Sequence, residues 1–123
     1  MKSKYFTDDE LRCRCGCGIV RMNPVFLSKL DALREMLAGP KPKTIEAYRC
    51  AKRPLECGEH GEGVAVKIAA SGLDAVRVVS FAHALGFTGI GAKQHGPEAG
   101  HFVHVDTASS EKKRHRPHFW TYE

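Results

Sequence analysis

The 123-residue chain contains no apolar run approaching the roughly 20 residues that a membrane-spanning helix requires. Its first residues, Met1 to Glu10, are polar and lack the apolar stretch of a secretory leader, so the product is expected to be cytoplasmic as synthesised. Internal repeats and low-complexity stretches are also missing, which excludes repeat arrays and low-complexity tails. An even set of cysteines is lacking: with five, a closed disulfide framework leaves one thiol over. Cys13, Cys15 and Cys17 alternate with single residues, a spacing found neither in zinc knuckles nor in redox C-x-x-C motifs.

What is present suits one compact domain, 1–123. Hydrophobic residues make up 42% of the chain and charged residues 27%, too apolar a balance for a disordered tail. Nineteen Lys+Arg against fourteen Asp+Glu give +5, which favours anionic surroundings without choosing among them. Seven histidines beside five cysteines make metal or redox chemistry the question to settle.

Local signals order the elements. Thr7 and Glu10 have capping-box spacing and open a short helical turn. Asn23-Pro24 reads as an N-cap with proline at the first helical position. Phe26, Leu27, Leu30, Leu33 and Leu37 then recur at helical spacing up to Gly39-Pro40. Thr44 to Arg49 predicts a short strand, Ala51 to Gly63 a loop, and Val64 to Ala70 a second strand. Ser71 is the expected cap of a helix over Leu73 to Leu85, and glycines from Gly86 to Gly96 mark turns around a short Ile90 segment. Phe102 to Thr107 alternates as a strand with Phe102, His104 and Asp106 on one face. The tail runs from the basic Lys112–Arg116 into Phe119, Trp120 and Tyr122. The expected class is α+β, with helices against a small, mainly antiparallel sheet.

Two histidine-bearing segments carry the functional signal: His60-Gly61-Glu62-Gly63-Val64-Ala65 and Gly100-His101-Phe102-Val103-His104-Val105-Asp106. Together they resemble the zinc D-Ala-D-Ala carboxypeptidase and phage L-Ala-D-Glu endopeptidase family (peptidase M15-like), whose fold is shared with the Hedgehog signalling domain. The family pattern is S-x-H-x-x-G-x-A-x-D followed by a strand close to F-V-H-V-D. His60, Gly63 and Ala65 match the first part, and Phe102 to Asp106 match the second. The resemblance extends to Phe6–Gly18, to Glu46-Ala47-Tyr48-Arg49, to Gly89-Ile90-Gly91 and to Arg116-Pro117-His118-Phe119-Trp120.

The resemblance implies a Hedgehog/DD-peptidase-like fold and one catalytic Zn²⁺ held by His60 and His104. It also implies that Arg49 binds a substrate carboxylate. Asp106 is expected to orient His104 as an acceptor. His101 and Glu98 are the two alternatives for the catalytic acid/base. The sequence departs from the pattern at the third ligand, where the family aspartate falls on Lys67. A charged ammonium has no lone pair to donate and repels Zn²⁺. Replacement ligands within reach of the same segments are Glu62, Cys57, His95, His101 and Glu98. Two family serines are also replaced, by Glu46 and Gly58.

The resemblance gives two functional expectations. One is a zinc-dependent peptidoglycan peptidase acting on the stem peptide, with activity in doubt because of Lys67, reaching the wall after release or as part of a phage particle. The other is a catalytically inactive peptidase-fold protein that binds wall fragments or a protein partner. A structural zinc that combines the C-x-x-H pair Cys57 and His60 with some of the N-terminal cysteines is a further alternative. A zinc module on nucleic acid is the weakest reading, since no finger spacing supports it, and the basic run 112–116 reads first as a solvated segment.

Overall fold

The computed structural model describes residues 3–39, 42–48, 58–110 and 115–122. Four helices, α1 (Asp8–Leu11), α2 (Pro24–Leu37), α3 (Gly58–Gly61) and α4 (Leu73–Ala84), accompany five strands. The strands are β1 (Thr44–Glu46), β2 (Ala65–Ala69), β3 (Gly89–Lys93), β4 (Phe102–Asp106) and β5 (His118–Thr121). They form one open sheet in the order β1-β2-β4-β3-β5, antiparallel at every pairing except β3 with β5, which run parallel. The expected α+β class with a mainly antiparallel sheet is therefore present. No helix among the described residues is long and apolar enough to cross a membrane.

The caps read from the sequence form as expected. Thr7 and Glu10 make the reciprocal capping box of α1, and the Asn23 side chain accepts from Phe26 N–H at the start of α2. All five apolar positions of α2 are buried, and they meet Ala75, Val78 and Ala82 of α4 over Val66, Ile68, Ile90, Val103 and Val105 of the sheet. Each of these helices also closes the other's carboxyl end. Lys29 Nζ donates to Leu85 O at 2.9 Å, and Arg77 Nη2 donates to Leu37 O at 2.5 Å.

Several elements differ from the sequence reading. Gly58–Gly61, within the segment expected as loop, is the short helix α3, and β3 runs through Gly89–Lys93 where the sequence predicts turns around Ile90. Ser71 does not cap α4: its hydroxyl donates to Glu98 Oε2 at 2.8 Å, and Gly72, at φ 61°, is the cap residue. β1 stops at Glu46 because Tyr48 N–H turns away from the sheet to Leu11 O, at 3.1 Å. The aromatic tail is itself a strand, β5, whose non-local partner β3 leaves no mark in local sequence.

Since side chains alternate along a strand, the sheet has a second face. It carries Lys67, Phe102, His104 and Asp106, with Gly89 and Gly91 beside them. A short turn brings His60 to the entry of β2. Gly63, at φ 74°, is required in that turn on two counts: its conformation is left-handed, and a Cβ there would run into the backbone of Arg21 and Met22. Its carbonyl accepts from Asn23 N–H at 2.9 Å, tying this turn to the start of α2. Gly63→Ala is expected to lower stability by about 2–4 kcal/mol, since strain and overlap act together. Chemical denaturation checks this, and an unchanged midpoint would show that the approach of the two segments is not tight.

Candidate functional site

His60 and His104 are brought together from separate elements, with ring centroids 5.2 Å apart and planes at 72°. Both are nearly sealed, at 5% and 3% exposure. His60 Nδ1 lies 2.7 Å from Ala47 O. A carbonyl only accepts, so Nδ1 carries the proton and Nε2 the lone pair. His104 Nε2 lies 2.7 Å from Asp106 Oδ2, which makes Nε2 the protonated nitrogen here too. Nδ1 of His104 is then the lone-pair atom of the neutral ring, and it is buried with no hydrogen-bond partner. The two rings thus offer two shielded lone pairs.

Asp106 orients this arrangement and does more than the sequence suggested. Fully buried, it also accepts from Arg116 Nε at 3.0 Å, Arg116 Nη2 at 2.8 Å and Ala108 N–H at 3.1 Å. Burial pushes its carboxyl up, but the hydrogen bonds from His104 and Arg116 outweigh that and hold it well below the usual carboxylate range. Gly89 makes room for it, since a Cβ there would overlap the carboxylate. Gly91 does the same for Trp120, whose indole lies against it and reaches within 5.1 Å of the His104 ring centroid.

Where the resemblance expects a third, anionic ligand, the chain carries a cation. Lys67 is the direct cross-strand partner of His104. Its ammonium is 3.8 Å from Glu46 Oε1 and sits over the rings of Phe102 and Tyr122, at 5.0 and 6.0 Å. A register shift in β1 makes this pairing: Thr44 stands opposite Ile68 and Glu46 opposite Lys67, so Ile45 is the extra residue of a bulge. Two corners of a tetrahedral zinc site are therefore suited by the imidazoles, and the third is not. Among the described residues, no acid, histidine or thiol joins the pair to give three ligand atoms within 4.8 Å of one another. The described residues do not supply a three-ligand zinc centre at this pair.

The two residues expected as acid/base alternatives are engaged with other partners. His101 precedes β4 and turns its Nε2 to Gly96 O at 3.0 Å, while Glu98 is exposed and accepts from Ser71. Glu62 and His95 are exposed. Arg49, Cys50, Cys57 and the basic residues Lys112, Lys113 and Arg114 fall outside the described residues. Sequence reasoning missed Arg116, read only as part of a basic run, and Trp120. The signal was the alternation His118, Trp120, Tyr122, which puts these rings on one side of β5. The Trp120 ring stacks on His118 with centroids 5.4 Å apart, and Arg116 sits over it at 5.3 Å.

A separate cluster does bring three ligand atoms together. The thiols of Cys13, Cys15 and Cys17 lie within 4.8 Å of one another and could hold a metal ion. No family model, curated protein or solved structure matches the chain.

The depressed Asp106 carboxyl predicts acid sensitivity with a definite sign. Because its folded pKa lies below the unfolded value of about 3.9, its stabilising contribution is complete above that value and is lost as pH falls through the folded one. Asp106→Asn should flatten stability against pH below about pH 5, and at neutral pH should cost about 3–5 kcal/mol by leaving Arg116 without its buried partner. Urea titrations of both proteins between acid and neutral pH check this. Parallel curves would mean that Asp106 does not set the acid limb.

Proposed function

We propose that this chain is a binding protein built on the Hedgehog/DD-peptidase-like fold, which holds a carboxylate-bearing peptide such as the peptidoglycan stem peptide and does not cut it. The observation that carries this reading is Lys67, positioned beside His104 and paired with a buried Glu46 where a zinc ligand is needed. A cation at that position repels Zn²⁺ and attracts an anion. Its side chain keeps 21% exposure, whereas both imidazoles are nearly sealed. The accessible part of the face is therefore an ammonium bordered by Phe102, Trp120 and Tyr122, which remain partly exposed.

Each group has a defined part in binding. Lys67 supplies a charge-assisted contact to a ligand carboxylate. Phe102, Trp120 and Tyr122 present rigid apolar surface to the peptide at low entropic cost. Asp106 and Arg116 fix His104 beneath them, so the floor does not rearrange when ligand arrives. The Glu46 carboxylate keeps Lys67 in place without a ligand, and a ligand carboxylate has to compete with it.

A zinc-dependent peptidase acting on the same stem peptide is the second reading, favoured by the buried lone pair of His104 Nδ1. Zinc would supply a Lewis acid and an activated water there. Two experiments separate the readings. Calorimetry with purified stem peptides should show binding that weakens about tenfold in Lys67→Gln, the scale of one charged hydrogen bond. Zinc-supplemented wild type should release no product, and chelator-sensitive hydrolysis by wild type would overturn the proposal. A Glu46→Ser/Lys67→Asp double substitution should gain zinc affinity by on the order of 100-fold, since adding a ligand exceeds the effect of an outer partner. Isothermal zinc titration reads that gain, and an unchanged affinity would mean that position 67 does not face the imidazole pair.

A further inference from the structure

We infer that the loop Cys13–Gly18 forms a second, thiolate metal site, occupied by Zn²⁺, that is structural and independent of the imidazole pair. It does not rest on the function proposed above.

The distances favour metal over a disulfide. Cys13 Sγ and Cys15 Sγ are 3.5 Å apart, well beyond the about 2.05 Å of an S–S bond. Two thiolates on one tetrahedral zinc, each at about 2.3 Å, lie about 3.8 Å from each other. With all three sulfurs inside 4.8 Å, closing on an ion requires movements of only a fraction of an ångström to about one ångström. Three soft donors select zinc among the common divalent ions over magnesium or calcium. Binding releases the thiol protons to solvent and gives a centre of net charge −1, with no electron transferred.

The loop is held in shape for this. Gly16 and Gly18 adopt φ 89° and 79°, with nothing within 4 Å of where a Cβ would be, so these glycines serve conformation and not close packing. Cys13 N–H donates to Ile19 O at 3.0 Å, closing the loop at its base. Ile19 N–H donates to Cys17 Sγ at 3.4 Å, a contact that stabilises a thiolate. Arg12, just before the first cysteine, and Arg14, between the first two, brace the loop: Arg12 donates to Gly18 O at 2.7 Å, and Arg14 donates to carbonyls of Asp9, Glu10, Thr44 and Ile45. Their positive charges also offset the anionic centre. Cys13 is buried, Cys17 half-buried and Cys15 exposed, so the three thiolates bridge the interior of the loop and its surface.

The placement gives the ion a structural task. Cys13 packs with Tyr48 in a small cluster, and the preceding Ala47 supplies the carbonyl that fixes His60. A metal here would fasten the exit of β1 and, through it, the orientation of His60.

Cobalt(II) is the probe. Reduced, metal-free full-length protein should bind one equivalent with a thiolate-to-cobalt charge-transfer band in the near ultraviolet, and Zn²⁺ should displace it. A His60→Ala/His104→Ala protein should keep the band, and Cys13→Ser/Cys17→Ser should lose it. If the cysteine variant does not fold, alkylation of wild type decides: Zn²⁺ should protect three thiols from iodoacetamide, counted by mass spectrometry. Absence of the charge-transfer band in wild type, equal alkylation with and without Zn²⁺, or a band lost with the histidines would each overturn the proposal.

Discussion

The buried carboxylate of Asp106 is the constraint on which the sheet's polar face depends. It is wholly removed from water, a placement that costs several kcal/mol for an isolated charge. That cost is offset only because His104, Arg116 and the Ala108 amide all donate to it. Each donor fixes a different part of the fold. His104 is locked in one tautomer, Arg116 brings the chain up to the start of β5, and the Ala108 amide turns the end of β4. Gly89 has no side chain because the carboxylate occupies that volume. A glycine on one strand, an acid on the next and an arginine ten residues later are therefore a single device.

Beside it, two departures from the resembled pattern compensate each other. Lysine at position 67 alone would leave a cation facing two imidazoles in a half-buried site, and glutamate at position 46 alone would bury an anion. Together they form a pair at 3.8 Å, with side chains 21% and 11% exposed. A loose pair of this kind contributes modestly to stability. Its larger effect is to keep both charges compatible with burial. The Ile45 bulge is what makes the pairing possible, because without the extra residue Ile45, not Glu46, would stand opposite Lys67. A fold that merely lost a ligand would not need this matched geometry, which is why the pair argues for a site with a use.

What the sequence revealed follows the range of the interactions. The capping box of α1, the Asn23-Pro24 start of α2 and its five buried positions are set by residues within a turn or two, and all were readable. The pairing of His60 and His104 was readable through the resemblance, and the orienting role of Asp106 from its place two residues after His104 on the same strand face. Arg116 was not, since nothing near it in sequence shows that it ends on a carboxylate. β5 was missed for the same reason: its partner β3 is about 25 residues upstream, and a short aromatic run between a basic segment and the terminus has no strand periodicity strong enough to declare itself. Ser71 was misread because a serine before a helix is a good cap only when its hydroxyl is not engaged elsewhere, and here Glu98 takes it.

The two histidines show why geometry and access have to be weighed together. Their ring centroids lie 5.2 Å apart, yet Trp120 lies against His104, and Gly91 exists to let the indole reach it. A hydrolytic metal keeps one position open to water and substrate. Here the imidazoles are shut in while the ammonium and aromatic rings above them are left partly open. Under the proposed reading, an opening formed by a cation and flat apolar surface would hold an anionic peptide by charge and contact, with no bond broken. In the binding reading proposed above, the residue in register with His104 is what separates holding from cutting, because Lys67 carries the opposite charge to the ligand that the resembled pattern has there.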